Sequence, residues 1–239
     1  MIPIRDINPR VRFPLVNYAL LTACIVVFFF QLALGEQVEA LVETYGFVPR
    51  DLSRLLAGDA KIEPELLATS LFTSMFLHGG WFHVIGNLLY LRVFGDNVED
   101  RFGHLGFLLF YVASGLAAAL GQYLIDPQST VPMIGASGAI AGVLGAYIVM
   151  FPRARILTLF PVFIFLTFIE VPAFFFLGIW ALQQFLNGYL SIAVSAQTGS
   201  GVGGIAWFAH IGGFVAGLIA GSLARALTPR ARRRLRAAG

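Results

Sequence analysis

Five stretches of this chain, about 15–35, 72–94, 105–125, 134–151 and 205–224, are apolar over most of the ~20 residues a helix needs to cross a bilayer core of ~30 Å. Nothing else in the sequence constrains the fold as strongly. In hydrocarbon every backbone N–H and C=O must find its partner inside the protein, and a helix is the segment that does this alone. Only 12% of the 239 residues are charged, where a soluble domain carries about 25%, and the mean hydropathy is +0.80. An ordinary globular domain, a disordered chain and a nucleic-acid-binding module are thereby excluded. The single cysteine, Cys24, lies in an apolar run, which excludes an intrachain disulfide and offers no metal cluster.

A sixth region, 156–190, holds one charge, Glu170, and has room for one span or two. The positive-inside rule chooses between them. With Arg5, Arg10 and Arg12 in the cytoplasm, a single crossing also puts Arg92, Arg101, Arg153, Arg155 and the arginines of the C-terminal tail inside. Only Arg50, Arg54 and Lys61 then fall outside, in a loop rich in acidic residues. Two crossings would export the tail. The expected fold is an all-α membrane protein of six transmembrane helices. In it, 156–170 is embedded at the inner interface and Val171–Leu190 crosses. The 36–66 loop is mixed polar and apolar and is expected to fold back on the membrane surface. The first span follows basic residues, as a signal peptide does, but its apolar run is longer than an h-region and no A-x-A site follows, so an uncleaved anchor is expected.

Polar side chains inside spans are costly and mark function. His78, His83 and Asn87 stand in the second run, Ser137 at the head of the fourth and His210 in the sixth. Ser137 precedes Arg153 by 16 residues and His210 precedes Arg225 by 15. At 1.5 Å per residue both lie roughly 23 Å above the inner boundary, and His83 comes out about 20 Å above it. Gly213, Gly217 and Gly221 repeat every four residues below His210, and Gly138 and Gly142 do so below Ser137. Small residues at this spacing let helix backbones approach closely, which would bring an imidazole beside a hydroxyl.

Serine needs an adjacent base to act as a nucleophile, and histidine can supply it. No aspartate on a connectable helix face is available to orient His210, so the reading is a dyad. The Ser137 amide at a helix N-terminus, with His83 and Asn87 four residues apart on one helical face, would stabilise an oxyanion. His78 and His83 are wrongly spaced for a zinc pair on a helix, and no metal or cofactor is expected. His104 is expected to be a solvated interface residue. Glu170, followed by Pro172, is placed to cap the fifth helix at its inner end.

These residues fall into three motifs: His78-Gly-Gly-Trp-Phe-His83-Val-Ile-Gly-Asn87, Gly135-Ala-Ser137-Gly138 and Ala209-His210-Ile-Gly-Gly213-Phe-Val-Ala-Gly217. With them the chain resembles the rhomboid intramembrane serine proteases from about residue 15 to 225. Asn97-Val-Glu99-Asp-Arg101-Phe-Gly103 is similar to that family's cytoplasmic turn. The resemblance implies a cytoplasmic segment 1–14, a six-helix rhomboid-like bundle and catalytic unit over 15–225, and a basic cytoplasmic tail over 226–239. It implies a short fourth helix that starts inside the membrane beside a water-filled cavity open to the outer face. It makes Ser137 the nucleophile and His210 the base. His83, Asn87 and Gly135 would line the oxyanion and substrate site, with His78 in the cavity network. Substrates would be single-pass transmembrane proteins cut in or near the outer part of their span, in contact with membrane lipid and without nucleic acid. The fifth helix would form an entry gate and the 191–204 loop, with Ser195, Thr198 and four glycines, a mobile cap. A bacterial inner membrane is the expected location. Two other classes stay open: a relative that binds membrane clients without cutting them, which typically lacks the serine or histidine kept here, and a transporter, which would need paired midplane charges.

Overall fold

A computed structural model of the chain describes residues 1–162, 165–198 and 206–227. It begins with a strand, β1 (Ile2–Asp6), followed by α1 (Leu15–Ala33), a 3-10 turn (Gly35–Gln37) and three short helices, α2 (Val38–Tyr45), α3 (Pro49–Leu56) and α4 (Pro64–Thr73). Next come α5 (Trp81–Phe102), α6 (His104–Ile125) and α7 (Ser137–Met150). A β-hairpin, β2 (Arg155–Val162) and β3 (Phe165–Pro172), precedes α8 (Ala173–Thr198) and α9 (Trp207–Leu227). The helices α1, α6 and α9 are long and apolar enough to cross a membrane by length and composition. Phe29, Phe30, Leu109, Phe185, Tyr189 and Leu223 stand exposed on the outer faces of these helices and of α8, an arrangement that suits contact with lipid rather than water.

Helix α7 is the axis. Its residues from Gly138 to Tyr147 are all buried, and it packs most extensively on α9 and then on α6 and α5. The core around it is built from Phe94, Val98, Phe107, Tyr111, Leu144 and Tyr147. Gly213 and Gly217 lie so close to the carbonyl oxygens of Gly138 and Gly142 that a Cβ at either position has no room, and Gly221 meets the Ala146 backbone. The two glycine stripes form one seam. At the C-terminal end of the seam, Arg225 Nη1 donates to the Val149 carbonyl at 3.0 Å, satisfying one of the orphan acceptors of the α7 C-terminus.

The expectation of an all-α protein is corrected by an antiparallel sheet in the order β1–β2–β3. Arg155 pairs with Pro172 at one end of the hairpin and Val162 with Phe165 at the other, while Ile2 faces Leu159 and Asp6 faces Ile156. Within the region 156–170, residues 156–162 and 165–170 are therefore strand. Its aromatic and β-branched content suits a pleated surface, and a helix here would carry Pro161 in its interior. Segment 1–14 joins the fold through β1. The fifth long helix starts at Ala173, directly after Pro172, and runs to Thr198, so the helix expected over 171–190 extends further towards the C-terminus and Ser195 and Thr198 belong to it. The glycines at 199–204 and the tail from 228 onward lie outside the described residues. Glu170 does not cap this helix. It sits in β3 and pairs with Arg155 at 3.3 Å, while the Ala173 and Phe174 N–H groups reach the carbonyls of Ala154 and Pro152 at 2.7 and 3.2 Å.

The second apolar run also divides differently. The α4 helix ends at Thr73 and α5 starts only at Trp81, directly after the Gly79-Gly80 pair, where Gly80 has φ +152°. His78 therefore lies in the connecting loop. At the C-terminal end of α5, Gly103 (φ +74°) makes the turn into α6. The 36–66 loop is mostly helical, as α2 and α3.

A buried polar cluster ties the start of α1 to the end of α5. The N-terminus of α1 has no capping side chain of its own. Instead Glu99 of α5, 1% exposed, accepts from the Val16 and Asn17 N–H groups at 2.9 and 2.7 Å. His104 has an exposed ring, yet its Nδ1 pairs with the same carboxylate rather than standing only in solvent.

Candidate active site

The end of the α7–α9 seam at the start of both helices carries the chemistry. Ser137 is the first residue of α7 and His210 lies in the first turn of α9. Packing the glycine faces together brings His210 Nε2 to 2.8 Å from Ser137 Oγ. The imidazole is flanked by Trp180 and Trp207, with ring centroids at 6.1 and 6.2 Å. Both residues of the pair line a cavity of about 680 Å³ that also takes in His83, Asn87 and Gln122.

The α5 residues His83 and Asn87 face this cavity from the opposite side. His83 Nδ1 accepts from the Gly79 N–H at 3.3 Å, so the ring proton resides on Nε2, the nitrogen that lies against Gly135. Asn87 is 7% exposed, and its Nδ2 donor has no partner among the described residues. Gly135 has φ +118°, and a Cβ there would strike His83 Nε2. Only glycine allows the loop before α7 to pass so close to His83.

His78 is placed differently from the sequence expectation. It is 2% exposed and does not line the cavity. Its backbone is clamped by Gln31 of α1, which accepts from the His78 N–H at 2.9 Å and donates to its carbonyl at 3.1 Å. Its Nδ1 donates to the Phe76 carbonyl at 3.0 Å and its ring meets His83 edge-on at 5.2 Å. It supports His83 from behind.

One side chain of the site went unread in the sequence. Gln184 of α8 places Oε1 at 2.7 Å from His210 Nδ1. The signal was available: Gln184 is a strongly hydrogen-bonding residue in a long apolar run, as His83 and Asn87 are.

Chemically, the arrangement offers a hydroxyl beside a base, with N–H donors across the cavity. The N-terminal turn of α7 adds backbone N–H groups that have no helical partner. This is the layout of an acyl-transfer site.

Comparisons with known proteins agree with the fold and motifs. Residues 67–226 match the Rhomboid domain. The chain is 30% identical over 175 residues to Rhomboid protein 1, mitochondrial, of Saccharomyces cerevisiae, covering 71% of this chain and 46% of that one. It is 38% identical over 80 residues to the putative rhomboid protease YdcA of Bacillus subtilis, covering 34% of this chain and 40% of the relative. It is 36% identical over 95 residues to RHOMBOID-like protein 5 of Arabidopsis thaliana, covering 40% and 31%. The matched stretches span less than half the length of these relatives. With a rhomboid domain over most of its length and apolar helices able to cross a bilayer, the chain is an integral membrane protein and belongs to the rhomboid family.

Proposed function

We propose that the protein is an intramembrane serine endopeptidase that hydrolyses peptide bonds in or near the transmembrane segments of single-pass membrane proteins, by a Ser137–His210 dyad. The observation that carries the reading is the 2.8 Å approach of His210 Nε2 to Ser137 Oγ at the wall of a cavity. Two of the relatives, YdcA and GluP of Bacillus subtilis, are named as rhomboid proteases, YdcA putatively, which supports the same activity here.

Six helices, α1 and α5–α9, cross the membrane in this reading, with both termini in the cytoplasm and the site near the outer face. A bacterial inner membrane is the proposed location. The length of α7 supports the placement of the site. Its 14 residues make about 21 Å, short of a ~30 Å core, so with its inner end level with Arg225 its N-terminus stops below the outer surface. The loop ahead of it then leaves space for water to reach Ser137.

In the reaction, Ser137 Oγ attacks the scissile carbonyl while His210 Nε2 takes its proton. The carbonyl oxygen becomes an oxyanion held by His83 Nε2–H, Asn87 Nδ2–H and backbone N–H groups at the start of α7. His210 then gives the proton to the leaving amine, and water releases the acyl group by the same steps in reverse order. The test is cleavage of a fluorogenic transmembrane substrate in liposomes by the native chain, Ser137→Ala and His210→Ala. The reading expects cleavage by the native chain alone. Cleavage surviving Ser137→Ala refutes it, and a native chain inactive against several substrates shifts weight to binding of membrane clients.

A further inference from the structure

The second nitrogen of His210 has a partner that the dyad does not use. Gln184 is 6% exposed, and its Oε1 stands 2.7 Å from His210 Nδ1. Its amide orientation is fixed one turn back on α8, where Nε2 donates to the Trp180 carbonyl at 3.3 Å. With the NH₂ group committed to an acceptor, the atom facing the imidazole is the amide oxygen, which can only accept. Nδ1 must then carry the ring proton, and Nε2 turns its lone pair to Ser137 Oγ.

We propose that Gln184 is the positioning residue of this site, holding His210 in the Nδ1–H tautomer and accepting the hydrogen bond of the imidazolium formed during attack. The inference rests on the protease reading above. As the Oγ–C bond forms and the carbonyl π electrons move to oxygen, the Ser137 proton passes to Nε2. Nδ1 keeps its own proton on Gln184 throughout. When the C–N bond breaks, the Nε2 proton leaves with the amine and the ring returns to its starting tautomer. A carboxylate could do the same work, but an ionised carboxylate in this setting is costly whenever the histidine is neutral. A neutral amide avoids that cost in the resting state.

The test uses the full chain in liposomes, with the native protein, Gln184→Leu and Gln184→Glu. Ring-¹⁵N histidine spectra, with the His210 signals assigned by their loss in His210→Ala, report the tautomer without any need for turnover. Fluorophosphonate labelling of Ser137 and the kcat and KM for a fluorogenic transmembrane substrate report the reaction. The native ring is expected to show a protonated Nδ1 and a bare Nε2. Gln184→Leu should slow labelling and lower kcat by about tenfold to a hundredfold, the rate equivalent of a hydrogen bond to a charged group, while KM moves by no more than about twofold. Gln184→Glu keeps an acceptor and should restore most of the rate. A native His210 protonated at Nε2, or a Gln184→Leu chain labelled at the native rate, overturns the inference. Failure of the protease reading shows separately, as cleavage that survives Ser137→Ala. The native tautomer still decides the role of Gln184 in that case, and needs no variant at position 184 to fold.

Discussion

Asp6 offers a test of the inner polar cluster that depends on nothing at the active site. It lies on β1, and its Oδ2 accepts from Tyr147 Oη and Asn97 Nδ2, both at 2.7 Å. Burial pushes its carboxyl up from 3.8 to about 7, and Asp96 adds to the rise, while the Tyr147 hydrogen bond and Arg10 oppose it. The folded chain therefore holds a proton that the unfolded chain releases once the pH passes about 4. Stability from this group is complete below that pH and is lost as the pH rises through the folded value near 7. The slope is about 1.4 kcal/mol per pH unit, which accumulates to at most about 4 kcal/mol over the window. At roughly 2–4 °C per kcal/mol for a chain of this size, the full effect is about 8–16 °C in Tm. Asp6→Asn keeps an oxygen acceptor for Tyr147 and Asn97 and cannot ionise. Melting both proteins in detergent between pH 4 and 8, followed by tryptophan fluorescence, should show the variant gaining on the native chain as the pH rises. Titrating groups that do not interact with Asp6 are common to both proteins and cancel in the difference, which leaves Asp6 and its coupling to Asp96. A Tm difference that stays constant from pH 4 to 8 refutes the argument.

Glu99→Ala removes the acceptor for two α1 N–H groups and should cost about 2–5 kcal/mol, read as a lowered Tm in detergent, with Glu99→Gln recovering part of the loss. Gly217→Val drives a side chain into the Gly142 carbonyl. It should force α7 and α9 apart, lowering Tm by the equivalent of at least about 1–3 kcal/mol and slowing fluorophosphonate labelling of Ser137 with it. Gly135→Ala combines a strained φ of +118° with a clash at His83 Nε2. It should lower kcat by more than about tenfold, since it displaces an oxyanion donor, while strain costs only about 1–3 kcal/mol in a melt.

How much of this was legible in the sequence follows from which physical signal each element leaves. The apolar runs at 15–35, 105–125 and 205–224 closely match α1, α6 and α9, because length and hydropathy alone define a helix that can cross a bilayer. The glycine repeats were readable because close backbone approach admits no other residue. The hairpin was not, because a strand rich in Ile, Leu and Phe carries the same hydropathy as a membrane segment, and its partner β1 lies about 150 residues away in sequence. His78 was misplaced because hydropathy averages over Gly79-Gly80, where the backbone breaks. Gln184 escaped notice because its partner lies 26 residues away, where no local motif links them, and because the search for an orienting group was a search for a carboxylate.

The structure also shows what fixes the height of Ser137. Tyr147 hydrogen-bonds Asp6, Asn97 joins the same carboxylate, and Glu99 holds the start of α1. These contacts couple β1, α1, α5 and α7 at the end away from Ser137, where Arg225 also secures α9 to the last turn of α7. From that anchored end, about 21 Å of α7 carries the serine upward at a rise that backbone geometry sets. The glycine seam fixes the lateral approach of α9 over the same length, so that two helices held in register at one end present hydroxyl and imidazole at hydrogen-bond distance at the other. The polar cluster and the catalytic pair are thus linked by a rigid helix of fixed length rather than by any direct contact. A substitution such as Asp6→Asn should therefore change the melt without changing the rate at which Ser137 is labelled at a temperature where both chains are folded, whereas one that loosens the seam should change both.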